Sequence, residues 1–375
     1  MKIALILKDN LNRRPPVLSV CYHLIDLGHS LTIIACGISD ETQEEFMKRG
    51  VLTKLVSSNS GSFKIPVIGN IFRWLLFRLE VTRILKKIDF DYIWVASADA
   101  ALAMGKRLFK YKYFLQIQEL YDTVPLYRKR LCYFMRNAQK VFVPEATRAH
   151  IFRAGYQLDE TPVVLPNKPY NHPRRRRMEI TDPLAKEAFD KIPNGSKKVF
   201  FQGILAYERD LRLFARAIEE LGAPWVLVVQ CPMHSNSYCD NFFTNFKFYH
   251  IPYLAAPMHL EVTSNVDIGL VTYMHDSLNT EFCAPNKIWE YSGFGLPMIA
   301  NDVKGLLDTV GYYGAGMCLN LADSSTEDIT KALLELDGQS EIYSRNCSVF
   351  YDSIDNVETI RKALLQVQKK RNKNE

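Results

Sequence analysis

No run of apolar residues in this 375-residue chain approaches the roughly 20 needed to span a bilayer. The Ile3–Leu7 run near its start is too short for a secretory leader, so a cytoplasmic protein is expected. Its eight cysteines are scattered, without the paired spacing of a disulfide framework. Cys231-x-x-His234 with Cys239 is their one metal-like cluster, and it lacks an obvious fourth ligand. Free buried thiols are the expectation. No Gly-x-Gly-x-x-Gly follows the first strand-like run, which argues against the usual dinucleotide cradle; Asn10, Asn12, Arg13 and Arg14 occupy that loop instead. Short-period repeats are absent. Excess charge is small, since 47 basic and 41 acidic residues leave +6. That balance permits an anionic partner. Nucleic acid is not expected, because no recognised binding motif accompanies the charge.

What is present is a regular alternation. An apolar fraction of 47% and a charged fraction of 23% are those of a globular protein, and the length suits two domains. Lys2–Leu7, Ser30–Cys36, Val51–Val56, Tyr92–Ala96, Tyr113–Ile117 and Lys140–Val143 read as strands separated by helical stretches. Past Pro169 the texture breaks into proline and charge, including the Arg174–Arg177 run. A second series runs through Lys198–Phe201, Val226–Val229, Phe246–His250, Val266–Thr272, Met298–Ala300 and Met317–Leu319. Such alternation implies an α/β protein with parallel sheets. The expected organisation is an N-terminal Rossmann-like domain over 1–168 with a C-terminal helix at about 354–372. A linker over 169–196 and a second Rossmann-like domain over 197–353 complete it.

The most informative stretch is Phe282–Asp302. Val266–Thr272 reads as a buried strand, Pro285 to Phe294 as a short helix with Pro at its first position, and Met298–Ala300 as the next strand. A parallel βαβ unit places the Pro285 end at the carboxyl edge of the sheet, where ligands of open α/β sheets bind. Ala284 is a poor cap, so the first amides are open to an anion. Lys287 adds positive charge, and Glu290 lies one turn further on, where a carboxylate can accept from two neighbouring sugar hydroxyls. Together they suit a nucleotide diphosphate with its ribose.

Pro285-Asn286-Lys287-x-x-Glu290-Tyr291, followed by Gly295-x-Pro297-x-Ile299, resembles the donor-site signature of GT-B glycosyltransferases, nearest to glycosyltransferase family 4 and its relatives. That resemblance implies two Rossmann-like domains facing across a cleft, with the C-terminal helix crossing back to the N-terminal domain. It implies that Glu290 holds the donor ribose, and that Asn286 and Pro285 belong to the donor site. Arg209, after the Gln202-Gly203 strand end, matches the basic residue that contacts the diphosphate; its planar fork suits phosphate oxygens. The His250–Ala256 loop, with Tyr253, resembles the one that holds the nucleobase. Relatives often carry a donor-sugar glutamate eight residues before Glu290; here that position is Phe282, with Glu281 one step away. Gln118-Glu119-Leu120-Tyr121 resembles a His-Glu-Leu-Tyr segment, with Gln118 in place of the histidine and Glu119 left to contact sugar or acceptor. Asp89-Phe-Asp91 precedes its strand and so falls at the wrong edge for a metal-binding Asp-x-Asp.

The resemblance therefore implies transfer of a sugar from a nucleotide-diphosphate donor to a glycan or lipid-linked hydroxyl acceptor, with retention. No metal or other cofactor is expected, because Arg209, Lys287 and a helix N-terminus can stabilise the leaving diphosphate. Two alternatives remain at this stage: a nucleotide-sugar epimerase of the same fold, and a non-catalytic nucleotide-sugar-binding subunit of a glycan-assembly complex. The Ile71–Ile88 segment adds a question of place. Trp74, Phe77, Val81, Ile84, Leu85 and Ile88 form one apolar stripe; Phe72, Leu75, Leu76 and Leu79 form a second, continued by Arg83 and Lys86. Either the helix is buried on both sides, or its outer face meets an anionic membrane surface, with Arg174–Arg177 in support.

Overall fold

The computed structural model describes residues 1–57, 66–233 and 237–374. Two compact units result: Met1–Tyr170 with Ile354–Glu375, and Asn171–Ser353. In the first, strands β1 (Lys2–Asn10), β2 (Ser30–Gly37), β3 (Leu52–Leu55), β4 (Tyr92–Val95), β5 (Tyr113–Gln116), β6 (Lys140–Val143) and β7 (Val163–Val164) form one sheet in the order β3-β2-β1-β4-β5-β6-β7. Every pairing is parallel; Leu5, for example, lies between Ile33 and Trp94. Central strands buried on both faces explain the unbroken apolar runs in the sequence. Trp94 brings a polar handle into these strands, and its indole N–H finds Gln116 Oε1 at 3.1 Å.

The helix Asn356–Asn374 closes the chain on this same unit. Ile360, Ala363, Leu364 and Val367 repeat at helical spacing and join the core of this unit, where the helix lies against the helix Pro15–Asp26 and β7. Asn356 Nδ2 donates to the Pro166 carbonyl at 2.9 Å, and Lys370 pairs with Glu160.

The second unit repeats the architecture with β8 (Lys197–Gln202), β9 (Trp225–Cys231), β10 (Tyr249–Pro252), β11 (Ile268–Val271), β12 (Met298–Asn301) and β13 (Gly316–Leu319). Their order is β10-β9-β8-β11-β12-β13, again all parallel. Successive strands run outward in opposite directions from the β8/β11 pair. The loops leaving those two strands therefore diverge and open a crevice at the carboxyl edge.

Several expectations need correction. The strand expected at Phe246–His250 lies at Tyr249–Pro252. Phe246 and Phe248 are instead packed on Phe242, with centroids 5.1 and 5.2 Å away, so the aromatic run makes core contacts rather than ladder bonds. Of the stretch read as a linker, 171–196 is counted with the second unit. It is strapped there by Thr181 on Glu261 and by main-chain bonds of Arg177 and Met178 to Ser264. Nor are all of Arg174–Arg177 available to a membrane. Arg174 forks onto Asp352 at 2.6 and 3.1 Å, and Arg176 donates to the Ser264 and Val266 carbonyls. Cys231 and Cys239 are buried and form no disulfide, while His234 lies outside the described residues.

The helix Pro66–Leu85 resolves the question of the two stripes. Phe77, Val81 and Leu85 are buried, whereas Phe72, Leu75 and Leu79 are 41%, 44% and 43% exposed. The first stripe is core at those three positions, with Trp74 and Ile84 half-buried; the second faces outward except at Leu76, which is half-buried. No helix among the described residues is long and apolar enough to cross a membrane.

Candidate functional site

Gly203 follows β8 directly, with φ +126°, a conformation that L side chains rarely adopt. Two cationic side chains converge on it. A Cβ placed there would lie 3.5 Å from Lys287 Nζ and 3.7 Å from an Arg209 guanidinium nitrogen. The glycine thus leaves open the space that two positive side chains face.

Lys287 lies in the first turn of the helix Asn286–Gly293, which follows β11. Its side chain runs inward, with Nζ buried, 3.9 Å from the centroid of Phe201 and without a hydrogen-bond partner. Burial, and then the Arg209 charge, hold its pKa well below the ordinary lysine value; Glu290 opposes them. A buried ammonium without a partner is costly, and an anion entering over Gly203 would relieve that cost. Arg209 lies with its guanidinium 5.3 Å from the Tyr273 ring centroid. It closes the 3-10 turn Tyr207–Arg209; the helix that follows begins at Arg212. The helix start is likewise one residue later than expected, with Pro285 as its N-cap and Asn286, half-buried, as its first residue. Pro285 offers no side-chain cap, in keeping with amides turned toward a ligand.

Glu290, one turn below Lys287, is only 3% exposed. One carboxylate oxygen accepts from the Gln202 amide, and the other lies 3.1 Å from His259 Nε2. Gln202 Oε1 in turn accepts from Thr263 at 2.8 Å. Each carboxylate oxygen retains lone-pair capacity for a further donor, so the pair of residues orients the group without exhausting it. Behind it, His172 Nε2 lies 3.0 Å from the Glu290 carbonyl and packs where a Cβ on Gly293 would fall 2.6 Å from the ring. Gln202, His259, Thr263 and His172 were not singled out from the sequence. Gln202 was quoted there beside Gly203, but only the β8/β11 adjacency shows that it faces Glu290.

Tyr253 follows β10 and is 52% exposed. Glu281 is engaged on both oxygens, by the Lys304 amide at 3.0 Å and by His275 Nδ1 at 2.7 Å; the other imidazole nitrogen lies 2.9 Å from Asp302. The two carboxylates raise the His275 pKa, Asp302 foremost. Glu119 belongs to the first unit, half-exposed and 3.5 Å from Arg148, whose guanidinium also holds the Gln118 carbonyl. Gln118 Nε2 is buried without a partner. Asp89 and Asp91 are bound by Lys2 at the start of β1, at the amino edge as expected. Among the described residues no group of three or more His, Cys, Asp or Glu side chains could hold a metal ion.

No protein-family model matches the chain, and no curated protein matches it in sequence. Solved structures do match it along nearly its whole length. A glycosyltransferase from Rickettsia africae ESF-5 is similar with TM-score 0.69 and 18% identity over 98% of both chains. HepE of Anabaena in complex with UDP-glucose is similar with TM-score 0.73 and 10% identity, over 98% of this chain and 100% of its own. WaaG, a glycosyltransferase of lipopolysaccharide biosynthesis, gives 0.65 and 14% over 96% and 98%. At such identities the likeness is one of architecture: two parallel α/β units, a terminal helix that rejoins the first, and the whole of the GT-B fold.

Proposed function

We propose that this chain is a glycosyltransferase that moves a sugar from a nucleotide-diphosphate donor to a hydroxyl acceptor. The single observation that carries this reading is the buried Lys287 Nζ, without a hydrogen-bond partner, converging with Arg209 over Gly203 at the β8/β11 crevice. Two cations and the uncapped amides after Pro285 suit a diphosphate, first bound and then leaving with extra charge. Preorganised donors of this kind lower a barrier by about 3–4 kcal/mol each. Glu290, Asn286, Pro285 and the Tyr253 loop complete the donor site in this reading, with Glu290 on the ribose. Arg209 and Lys287 take the role otherwise given to a divalent metal. No side chain of the second unit's site stands out as a dedicated base, which fits a retaining course in which the donor phosphate assists deprotonation of the acceptor. Glu119 is the residue of the first unit proposed to contact sugar or acceptor.

The acceptor is proposed to be a glycan or lipid-linked hydroxyl of surface-glycan assembly, met at the cytoplasmic face. The outer face of Pro66–Leu85 supports peripheral contact with an anionic membrane there. Phe109, Leu126 and Tyr133 are further exposed apolar side chains of the same unit. Across that helix, the Gly105–Lys110 turn and the helix Pro125–Asn137, Glu80 is the sole acidic residue among basic ones such as Arg83, Lys106, Arg128 and Lys129.

A thermal-shift screen against nucleotide sugars, beginning with UDP-glucose, tests the donor reading. A ligand at 100 times its dissociation constant stabilises by about 2.7 kcal/mol. Product analysis then separates the alternatives: an epimerase converts the donor without acceptor, and a binding subunit shows the shift with no turnover.

A further inference from the structure

The first unit holds a cavity of about 370 Å³ at the carboxyl ends of β1 and β2, walled on one side by the helix Pro66–Leu85. Three basic side chains from three separate elements line it: Lys8 from β1, Arg13 from the Leu11–Arg13 turn, and Arg73 from the helix. Asp9 is the one acid in the lining, and its carboxylate is already engaged by Arg14 Nε at 2.7 Å and by the Asn10 amide at 2.7 Å. Glu80, on the same helix as Arg73, is likewise taken, by the Ser57 amide at 2.7 Å. The side chains of Lys8 and Arg13 make no hydrogen bond or ion pair among the described residues, although Lys8 is half-buried.

Like charges brought together in a concave, partly desolvated space repel, and among the described residues no hydrogen bond or ion pair offsets Lys8 and Arg13. The volume falls within the range that encloses a small ligand. We propose that this pocket binds an anionic group, a phosphate or a carboxylate, carried by the acceptor. That the group belongs to an acceptor rests on the transferase reading; that it is an anion rests on the pocket. The chemistry is common to a soluble sugar phosphate and a lipid-linked phosphate. Arg73 lies on the helix whose exposed Phe72, Leu75 and Leu79 would meet the lipid in the second case.

The test uses the full chain carrying Arg209→Ala and Lys287→Ala, which removes the cations of the second unit. Calorimetric titration with inorganic pyrophosphate at low ionic strength should still show binding. Adding Lys8→Gln and Arg13→Gln, which remove both charges while keeping polar side chains, should weaken it at least tenfold with the melting temperature unchanged. Absence of binding before those two changes, or equal binding after them, overturns the proposal. Phosphatidylglycerol vesicles and soluble glucose 1-phosphate separate the sources. Loss of vesicle binding on Lys8→Gln with Arg13→Gln assigns a lipid-borne anion, loss of glucose 1-phosphate binding assigns a soluble one, and loss of neither overturns it. UDP titration of the wild-type chain reads the donor site independently of all these.

Discussion

Replacing Lys287 by alanine removes a cation that burial and Arg209 already disfavour, so the fold should lose nothing by it. We expect Lys287→Ala to keep or raise the melting temperature while cutting turnover at least about tenfold; Arg209→Ala should cut turnover similarly. A residue with a merely structural role would lower both. Gly203 belongs to the same argument, because any side chain there intrudes between the two cations and also strains the backbone at φ +126°. Glu290→Gln tests the ribose contact. It keeps the shape, and donor affinity should fall while far-UV circular dichroism stays constant. His259→Ala, through loss of positioning alone, should raise the donor KM more than it lowers kcat. Unchanged kinetics in Glu290→Gln would remove Glu290 from the site.

At the scale of elements, the helix Pro66–Leu85 shows how far a sequence pattern reaches. Two apolar stripes were legible, but periodicity cannot say which is covered. Packing decides it: Phe77, Val81 and Leu85 are buried and each contributes about 1.5–3 kcal/mol, while Phe72, Leu75 and Leu79 remain outside. Liposome flotation should therefore recover the wild-type chain with anionic vesicles at low salt, and the triple change of Phe72, Leu75 and Leu79 to Ser should release it without loss of stability. Most strands were equally legible, since buried parallel strands write themselves as apolar runs. β7 was missed because two residues carry no pattern, and β10 was displaced because Phe246 and Phe248 have strand-like chemistry but core contacts. The donor-type helix could be read from Pro285, Lys287 and Glu290. Its supports could not, because Gln202, His259 and His172 reach Glu290 through contacts 31 to 118 residues apart that only the sheet order creates.

Across the whole molecule, chain order and unit membership part company at Ile354, where the last helix returns to the first unit. Part of that return is electrostatic. Lys140 and Lys370 hold Glu160 at a pKa lowered to about 2, with Lys140 the larger cause. A depressed carboxylate stabilises above its ordinary value and loses that contribution as pH falls toward the lowered one. The melting-temperature advantage of wild type over Glu160→Gln should thus be present at neutral pH and vanish between about 4.5 and 2; half-exposure of the group keeps it small.

The proposed function rests on Lys287 and Arg209 holding a diphosphate over Gly203. Calorimetric titration of UDP and the other nucleoside diphosphates into the wild-type chain and into Lys287→Ala, repeated across pH, tests it most directly. We predict that at least one nucleotide binds the wild type, and that its affinity falls as pH rises, because burial and the Arg209 charge lower the Lys287 pKa while a bound anion favours the charged form. Binding to Lys287→Ala should be at least about tenfold weaker, as for loss of a charge-assisted contact worth roughly 1.5–3 kcal/mol, with a shallower pH dependence. Failure of every nucleoside diphosphate to bind, or equal affinity and equal pH dependence in the two proteins, would contradict it.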